Sequence, residues 1–339
     1  MVSAGESAFC HAGEADKRCM MDLSIIIVNW NSKDYLLKSI AAIEAETNGI
    51  EFEIVVIDSG SFDGCDEMLR EVYPHVLFIQ SDRNLGFAKA NNEAFKVSRG
   101  RNLLFLNPDT EIEGLAIETL YYQLSSLPNA GIVGGTLLNS DRSIQESCIR
   151  AFPTVLNQVL DSHMLRGLFP RARLWGIEPL LARNGAPKGV DAVSGACLMV
   201  KRSVFESVGM FSTDYFMYSE DIDLCLKVRK AGLNTYYVPR AVVVHHCGAS
   251  SSQASVNTFS SVMMLESRWR FFRKTRSLWY SRFYRAAMFA ACIVRIGLVL
   301  FVWLARRLLG REPSSRAILT KWMARLRWTL GGERWVKNY

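Results

Sequence analysis

From Leu23 to Val244 the chain alternates two kinds of apolar pattern. Leu23-Ser24-Ile25-Ile26-Ile27-Val28-Asn29 is a nearly continuous run of aliphatic residues, which predicts a strand covered on both faces. Tyr35, Leu36, Ile40 and Ile43 then recur at helical spacing, with Ser32 placed to cap the helix. The same reading predicts a strand over 53–58, a helix carrying Met68, Leu69 and Val72, and a strand over 76–80. A glycine-started helix after Asn84-Leu85-Gly86 leads to a fourth strand, Leu103 to Asn107. Beyond Gly114 come a helix (Leu115, Ile117, Leu120, Leu124, Leu127) and a strand over 132–137. Residues 190–200 resume the sheet, 220–231 form a helix closed by Gly232, and 235–238 and 241–244 are two short last strands. Alternation of this kind predicts an α/β fold: βαβ units and a mostly parallel sheet flanked by helices. The stretch from Ser140 to Gly189, with Pro153, Pro170, Pro179 and Pro187, breaks the pattern and reads as a loop-rich insertion with short helices.

Two acids stand where predicted strands stop, Asp58 and, after the turn Asn107-Pro108, Asp109. Open α/β sheets bind ligands outside the carboxyl ends of their strands, so both are placed to meet a ligand, and Asp109 to hold a metal ion with a phosphorylated one. Far downstream, Tyr218-Ser219-Glu220-Asp221-Ile222-Asp223 puts three acids in four positions. Such a cluster costs repulsion unless a cation or a proton-transfer task accompanies it. Simpler readings exist for each: a turn aspartate after Pro108, and helix N-terminal acids favoured by the dipole, to which Asp223 is assigned. No GxGxxG and no P-loop follows the first strand, so neither a dinucleotide dehydrogenase nor an NTPase is supported.

Charge divides the chain. From Glu266 to the end there are 17 Lys and Arg against 3 Asp and Glu, a net of +14, which leaves −7 of the total +7 for residues 1–265. A basic tail on an acidic body points to a polyanion, either anionic lipid or nucleic acid. Ala286 to Ala305 is nearly apolar and of bilayer length, interrupted by Arg295, which favours lipid and argues against nucleic acid. Basic residues flank it on both sides, and Trp269, Phe272, Trp279 and Phe283 are interleaved with arginines. The expectation is a monotopic or re-entrant attachment to an anionic membrane surface on the cytoplasmic face, with an ordinary helical hairpin over the sheet as the simpler reading. The eight cysteines form no CxxC pair and read as reduced structural thiols. Residues 1–21 lack an apolar signal core and read as a disordered leader.

Seven short motifs in order resemble the inverting nucleotide-sugar glycosyltransferases of family 2, and most closely their rhamnosyltransferase-like branch. They are Val-Asn-Trp-Asn at 28–31, Val-Ile-Asp-Ser-Gly-Ser around Asp58, Asn-Leu-Gly-Phe-Ala-Lys-Ala-Asn-Asn at 84–92 and Leu-Asn-Pro-Asp at 106–109. Ser-Gly-Ala at 194–196, Tyr-Ser-Glu-Asp-Ile-Asp at 218–223 and His-His-Cys-Gly-Ala-Ser at 245–250 complete the set. The resemblance implies a GT-A, Rossmann-like domain over 22–265, and the charge and apolar pattern predict a basic, membrane-associating helical region over 266–339.

It also implies roles. Asn29, Asn31 and Asp58 would hold the nucleotide base and ribose, and Asn84, Gly86 and Asn107 would line the nucleotide-sugar cleft. Asp109 and His245 would be metal contacts, the ion being Mg²⁺ or Mn²⁺. Asp221 would be the catalytic base with Glu220 beside it, and Gly195 and Ala196 would border the acceptor. Ser59, Arg142, Ser212 and Lys227 depart from the family pattern. The implied reaction moves a sugar, rhamnose from dTDP-rhamnose, to a hydroxyl of a lipid-linked or cell-surface glycan. A UDP-hexose or UDP-galactofuranose donor, and a catalytically silent nucleotide-sugar binder, are the alternatives.

Overall fold

A computed structural model describes residues 21–161, 163–169, 172, 185–246, 254–309 and 316–338. The first buried run is β1 (Met21–Asn29), followed by α1 (Lys33–Glu46), β2 (Phe52–Asp58), α2 (Cys65–Val72), β3 (Leu77–Gln80), α3 (Gly86–Val97) and β4 (Gly100–Leu106). β1 pairs in parallel with β2 on one side and β4 on the other, and β2 with β3. Covered on both faces, Ile25, Ile26 and Ile27 are wholly buried, as a run without alternation requires. Ser32 sits at the α1 N-cap, but its hydroxyl donates to the Trp30 carbonyl; the first α1 amides, of Ser32 and Lys33, go instead to the Asp63 carboxylate at 3.0 Å.

The middle of the chain holds β5 (Thr110–Glu113), α4 (Ala116–Ser126), β6 (Ala130–Leu138), β7 (Ile149–Arg150), α5 (Val155–Leu160) and α6 (His163–Leu168). Then come β8 (Lys188–Val190), β9 (Ala192–Val193), β10 (Cys197–Lys201), α7 (Arg202–Ser207), α8 (Glu220–Lys230) and β11 (Asn234–His245). The main sheet runs β3-β2-β1-β4-β10-β6-β11-β5, with β8 also on β11. Its order reverses direction between β1 and β4, the kind of switch point that opens a crevice at the carboxyl ends of the strands. β10 is antiparallel to β4 and β6, and β5 and β8 are antiparallel to β11. The sheet is therefore mixed, as a long return connection between β6 and β10 allows.

Three details differ from the expectation. Residues 190–200 are not one strand but three short ones, because Asp191 turns away to bond the Phe152 amide and Arg229, and Ser194-Gly195-Ala196 forms a turn. The two expected last strands are a single strand, β11, with a register shift between Val238 and Val242 around Pro239, which has no N–H to give the ladder. β5 has no apolar run of its own to predict it; pairing with β11 makes it.

The tail forms α9 (Ala254–Thr275), α10 (Leu278–Leu308) and α11 (Arg316–Thr329), which pack on one another. The expected division at 265/266 falls inside α9. α10 is long and apolar enough to cross a membrane. Its buried residues, Ser281, Tyr284, Met288 and Cys292, recur every three or four positions and face the protein. Large apolar residues on its other side stay exposed, Phe301 by 70% and Leu298 by 57%. Arg295 is turned to the body, donating to the carbonyls of Val159 (2.8 Å) and Asp161 (2.7 Å) at the end of α5 and lying 4.6 Å from the Trp322 ring. Cys65, Cys148, Cys197, Cys225 and Cys292 are buried thiols without disulfides; Cys10, Cys19, Cys247 and the expected leader through residue 20 lie outside the described residues.

Candidate active site

Strand direction brings the singled-out residues to one rim. β1 and β2 end in register at Asn29 and Asp58, and β3 ends beside Asp58 at Gln80. β4 ends at Leu106 opposite Cys197, the start of antiparallel β10. The turn before β10 therefore lies against the turn after β4, and the Asn107 amide donates to the Ala196 carbonyl at 3.0 Å. β11 ends at His245 opposite Thr110, the start of antiparallel β5.

This pairing places His245 on Asp109. His245 Nε2 is 3.3 Å from Asp109 Oδ1 and 3.1 Å from Asn107 Nδ2. On the other side of the ring, Nδ1 faces Gln145 Oε1 at 3.0 Å, and Gln145 Nε2 donates to the His245 carbonyl at 2.7 Å. Gln145 can only accept at that oxygen, so Nδ1 carries a proton, and Nε2 is the ring atom turned towards Asp109 and Asn107. A carboxylate oxygen beside an imidazole nitrogen whose far side is fixed by an amide suits a divalent ion such as Mn²⁺. Gln145 lies in the stretch that read as irregular, and no spacing marks it in the sequence.

A second acidic group, Asp58, Asp63 and Cys65, has its ligand atoms within 4.8 Å of one another. Its chemistry does not fit a hard cation. Asp58 is wholly buried and accepts from Ser61, Gln80, Phe62 and Asn29; burial drives its carboxyl up, but these hydrogen bonds outweigh it and leave the group below its ordinary value. Asp63 is filled by the α1 amides. Burial, then Asp63 and Asp58, push the Cys65 thiol far up, so it stays protonated. Here Asp58 and Asn29, whose Nδ2 donates to Asp58 at 2.8 Å, shape the loop after β2, while Asn31 is exposed at φ +52° on the rim.

The loops after β2 and before α3 are joined through Ser59 and Asn84. Ser59 Oγ accepts from Leu85 N at 2.8 Å, and Asn84 Oδ1 accepts from Gly86 N at 2.9 Å. Gly86 has φ +72°, and a Cβ there would stand 2.2 Å from the Phe216 carbonyl, the acceptor of the Phe87 amide. Gly86→Ala is expected to cost at least about 1–3 kcal/mol from backbone conformation alone, read as a lower melting temperature. Asn91 and Asn92 serve structure: Asn91 bonds the Phe87 carbonyl, and Asn92 bonds both the amide and the carbonyl of Phe211.

Asp221 opens α8 after two successive residues with positive φ, Tyr218 (+68°) and Ser219 (+74°). Its Oδ2 accepts from the Gly195 amide at 3.1 Å and its Oδ1 from the Ile222 amide at 2.8 Å. A Cβ on Gly195 would fit tightly, 3.3 Å from Asp221 Cβ and 3.4 Å from the Phe87 ring. An unbroken line of neighbours thus runs from Asp109 through His245, Asn107 and Ala196-Gly195 to Asp221. The carboxyl that burial, then Asp221, drives up is Glu220, to about 8, and its Oε2 is buried without a partner. Asp223 points away, to Ser212, Tyr215 and Lys274.

The fold is of the GT-A type, and residues 24–209 match the glycosyl transferase family 2 model; the chain belongs to that family and is a glycosyltransferase. It is 29% identical over 243 residues, 68% of this chain and 78% of the relative, to an N-acetylglucosaminyl-diphospho-decaprenol L-rhamnosyltransferase of Mycobacterium tuberculosis. It is 25% identical over 229 residues to the dTDP-rhamnosyl transferase RfbF of Shigella flexneri, covering 67% of this chain and 69% of that one. Its fold is similar to that of the mannosyltransferase PcManGT from Pyrobaculum calidifontis, solved with GDP-Man and Mn²⁺ (TM-score 0.55, 15% identity, 92% of this chain and 87% of that chain).

Proposed function

We propose that this glycosyltransferase moves rhamnose from dTDP-rhamnose to a hydroxyl of a lipid-linked or cell-surface glycan, by single displacement with inversion. The observation that supports the reading is the short line of contacts between Asp109 and Asp221, which in this reading are the diphosphate end and the acceptor end of one rim. The rhamnosyl donor and the glycan acceptor rest on the two relatives and on the motif resemblance.

In the proposed reaction the acceptor oxygen bonds to the anomeric carbon as the bond to the diphosphate breaks, and the hydroxyl proton passes to Asp221. A hydroxyl is a weak nucleophile near neutral pH, so a carboxylate in hydrogen-bond reach is needed. Each Asp221 oxygen accepts one backbone amide, which fixes the carboxylate and leaves a second lone pair on each oxygen for the incoming proton. Asp109 and His245 would hold a divalent ion, which when bound offsets charge building on the departing diphosphate. Asn29, Asn31, Asp58, Asn84, Gly86 and Asn107 would shape the donor cleft, and Gly195 with Ala196 the acceptor side.

We place the enzyme at the cytoplasmic face of a membrane, with α10 lying in the interface. Arg295 faces protein instead of lipid, and Arg282 stacks over Trp279 (5.1 Å) and Arg307 over Trp303 (5.3 Å) near the two ends of the helix. The variant Leu298→Glu/Phe301→Glu is expected to leave anionic vesicles in a flotation assay that retains the wild type; equal flotation contradicts this placement. The donor is tested by thermal shift with dTDP-rhamnose, UDP-glucose and UDP-galactofuranose, each with and without Mn²⁺. dTDP-rhamnose with Mn²⁺ should give the largest rise, and a larger rise with a UDP-sugar rejects the donor.

A further inference from the structure

Beyond the residues that match the family, α9 grips the turn that presents Asp221. Ser267 Oγ donates to the Met217 carbonyl at 2.7 Å, Arg268 Nη1 to Ser219 Oγ at 3.0 Å and Arg270 Nη1 to the Asp214 carbonyl at 2.8 Å. Lys274 lies 3.0 Å from Asp214 and 3.3 Å from Asp223. The turn needs holding, because Tyr218 and Ser219 both adopt a left-handed conformation that side-chain-bearing residues rarely take.

Arg268 is the informative contact. It is 5% exposed, and its Nε is buried without a partner, as is Glu220 Oε2 on the facing helix. A buried guanidinium left partly unsatisfied is costly where its charge has no task. The charged and titratable groups around it are Glu220 and Asp221 from α8, Arg150 from β7 and Tyr284 from α10. Burial, then Arg150, pulls the guanidinium down to about 10, so it remains a cation at neutral pH.

We propose that Arg268 is a positioning residue for the transfer reaction: from α9 it fixes the Tyr218-Ser219 turn and so the orientation of the Asp221 carboxylate. The C-terminal helices are then part of the catalytic unit as well as a membrane support. The role rests on Asp221 being the base. With the cation gone, the Glu220–Asp221 pair holds a proton more tightly, so the pH below which activity fails moves up.

The test uses the full chain in detergent, release of dTDP from dTDP-rhamnose as the probe, and the variants Arg268→Gln, Arg268→Lys and Arg268→Gln/Glu220→Gln. Arg268→Gln should lower kcat about tenfold or more with the donor KM within about threefold, and shift the acid limb of kcat/KM up by about one pH unit. Arg268→Lys should recover most of the rate, and adding Glu220→Gln should bring the acid limb back. Melting curves give a reading without donor. A carboxyl raised in the folded state makes stability fall as pH rises from its unfolded value through its folded one. The deficit of Arg268→Gln against wild type should therefore widen from pH 6 to pH 9, and the double variant should close it. These melts decide alone if dTDP-rhamnose is not turned over. Arg268→Gln with wild-type kcat, an unmoved acid limb and an unchanged pH slope of stability overturns the proposal. Asp221→Asn with wild-type turnover removes the base assignment itself, whereas an inactive Asp221→Asn beside an unaffected Arg268→Gln removes only the role of Arg268.

Discussion

Asp221→Asn is expected to lower turnover about 10²–10⁴-fold, the loss typical of a missing general base, while nucleotide binding stays within about twofold. The substitution is nearly isosteric. The amide oxygen can still accept from the Gly195 or Ile222 amide, so the turn before α8 keeps most of its hydrogen bonds. What is lost is the ability to take the acceptor proton. A melting temperature close to wild type, measured beside the rate, separates this chemical loss from unfolding. Unchanged turnover would remove the base assignment, whereas donor binding with no turnover in the wild type would favour a catalytically silent nucleotide-sugar binder.

The second large effect is expected at the other end of the rim. Asp109→Asn and His245→Ala should each cost about 10²–10³-fold in turnover, since a bound divalent ion supplies several kcal/mol of transition-state stabilisation. Chelation of wild type should produce the same loss, reversed by added Mn²⁺. Gln145→Ala should weaken Mn²⁺ affinity by about 10–100-fold, because it frees the tautomer and orientation of the His245 ring. A Mn²⁺ titration followed by melting temperature reads both effects. Wild-type Mn²⁺ dependence in His245→Ala would remove that residue from the site.

Much of the fold was legible because β1, β2, β4 and β6 are buried on both faces and so carry unbroken apolar runs. The acids were legible because turns and helix starts expose them at fixed places in a repeating α/β pattern. What stayed hidden depends on pairing between distant segments. β5 exists through β11, Gln145 meets His245 across 100 residues, and Arg268 meets Ser219 across 49. The bend at Pro239 splits the apolar pattern of β11 into two pieces although the strand continues. The tail showed its charge and its apolar length, but which face Arg295 takes is decided by carbonyls at the end of α5.

The central claim is that one pocket joins a metal end at Asp109 to a base at Asp221. An experimental structure of the full chain with dTDP and Mn²⁺, read by the anomalous signal of the metal, tests it most directly. The expected result is a Mn²⁺ peak coordinated by Asp109 and His245 Nε2 and touching the diphosphate, with the Asp221 carboxylate facing the same cavity. A peak at Asp58, Asp63 and Cys65, or an Asp221 side chain opening into a separate cavity, would contradict it.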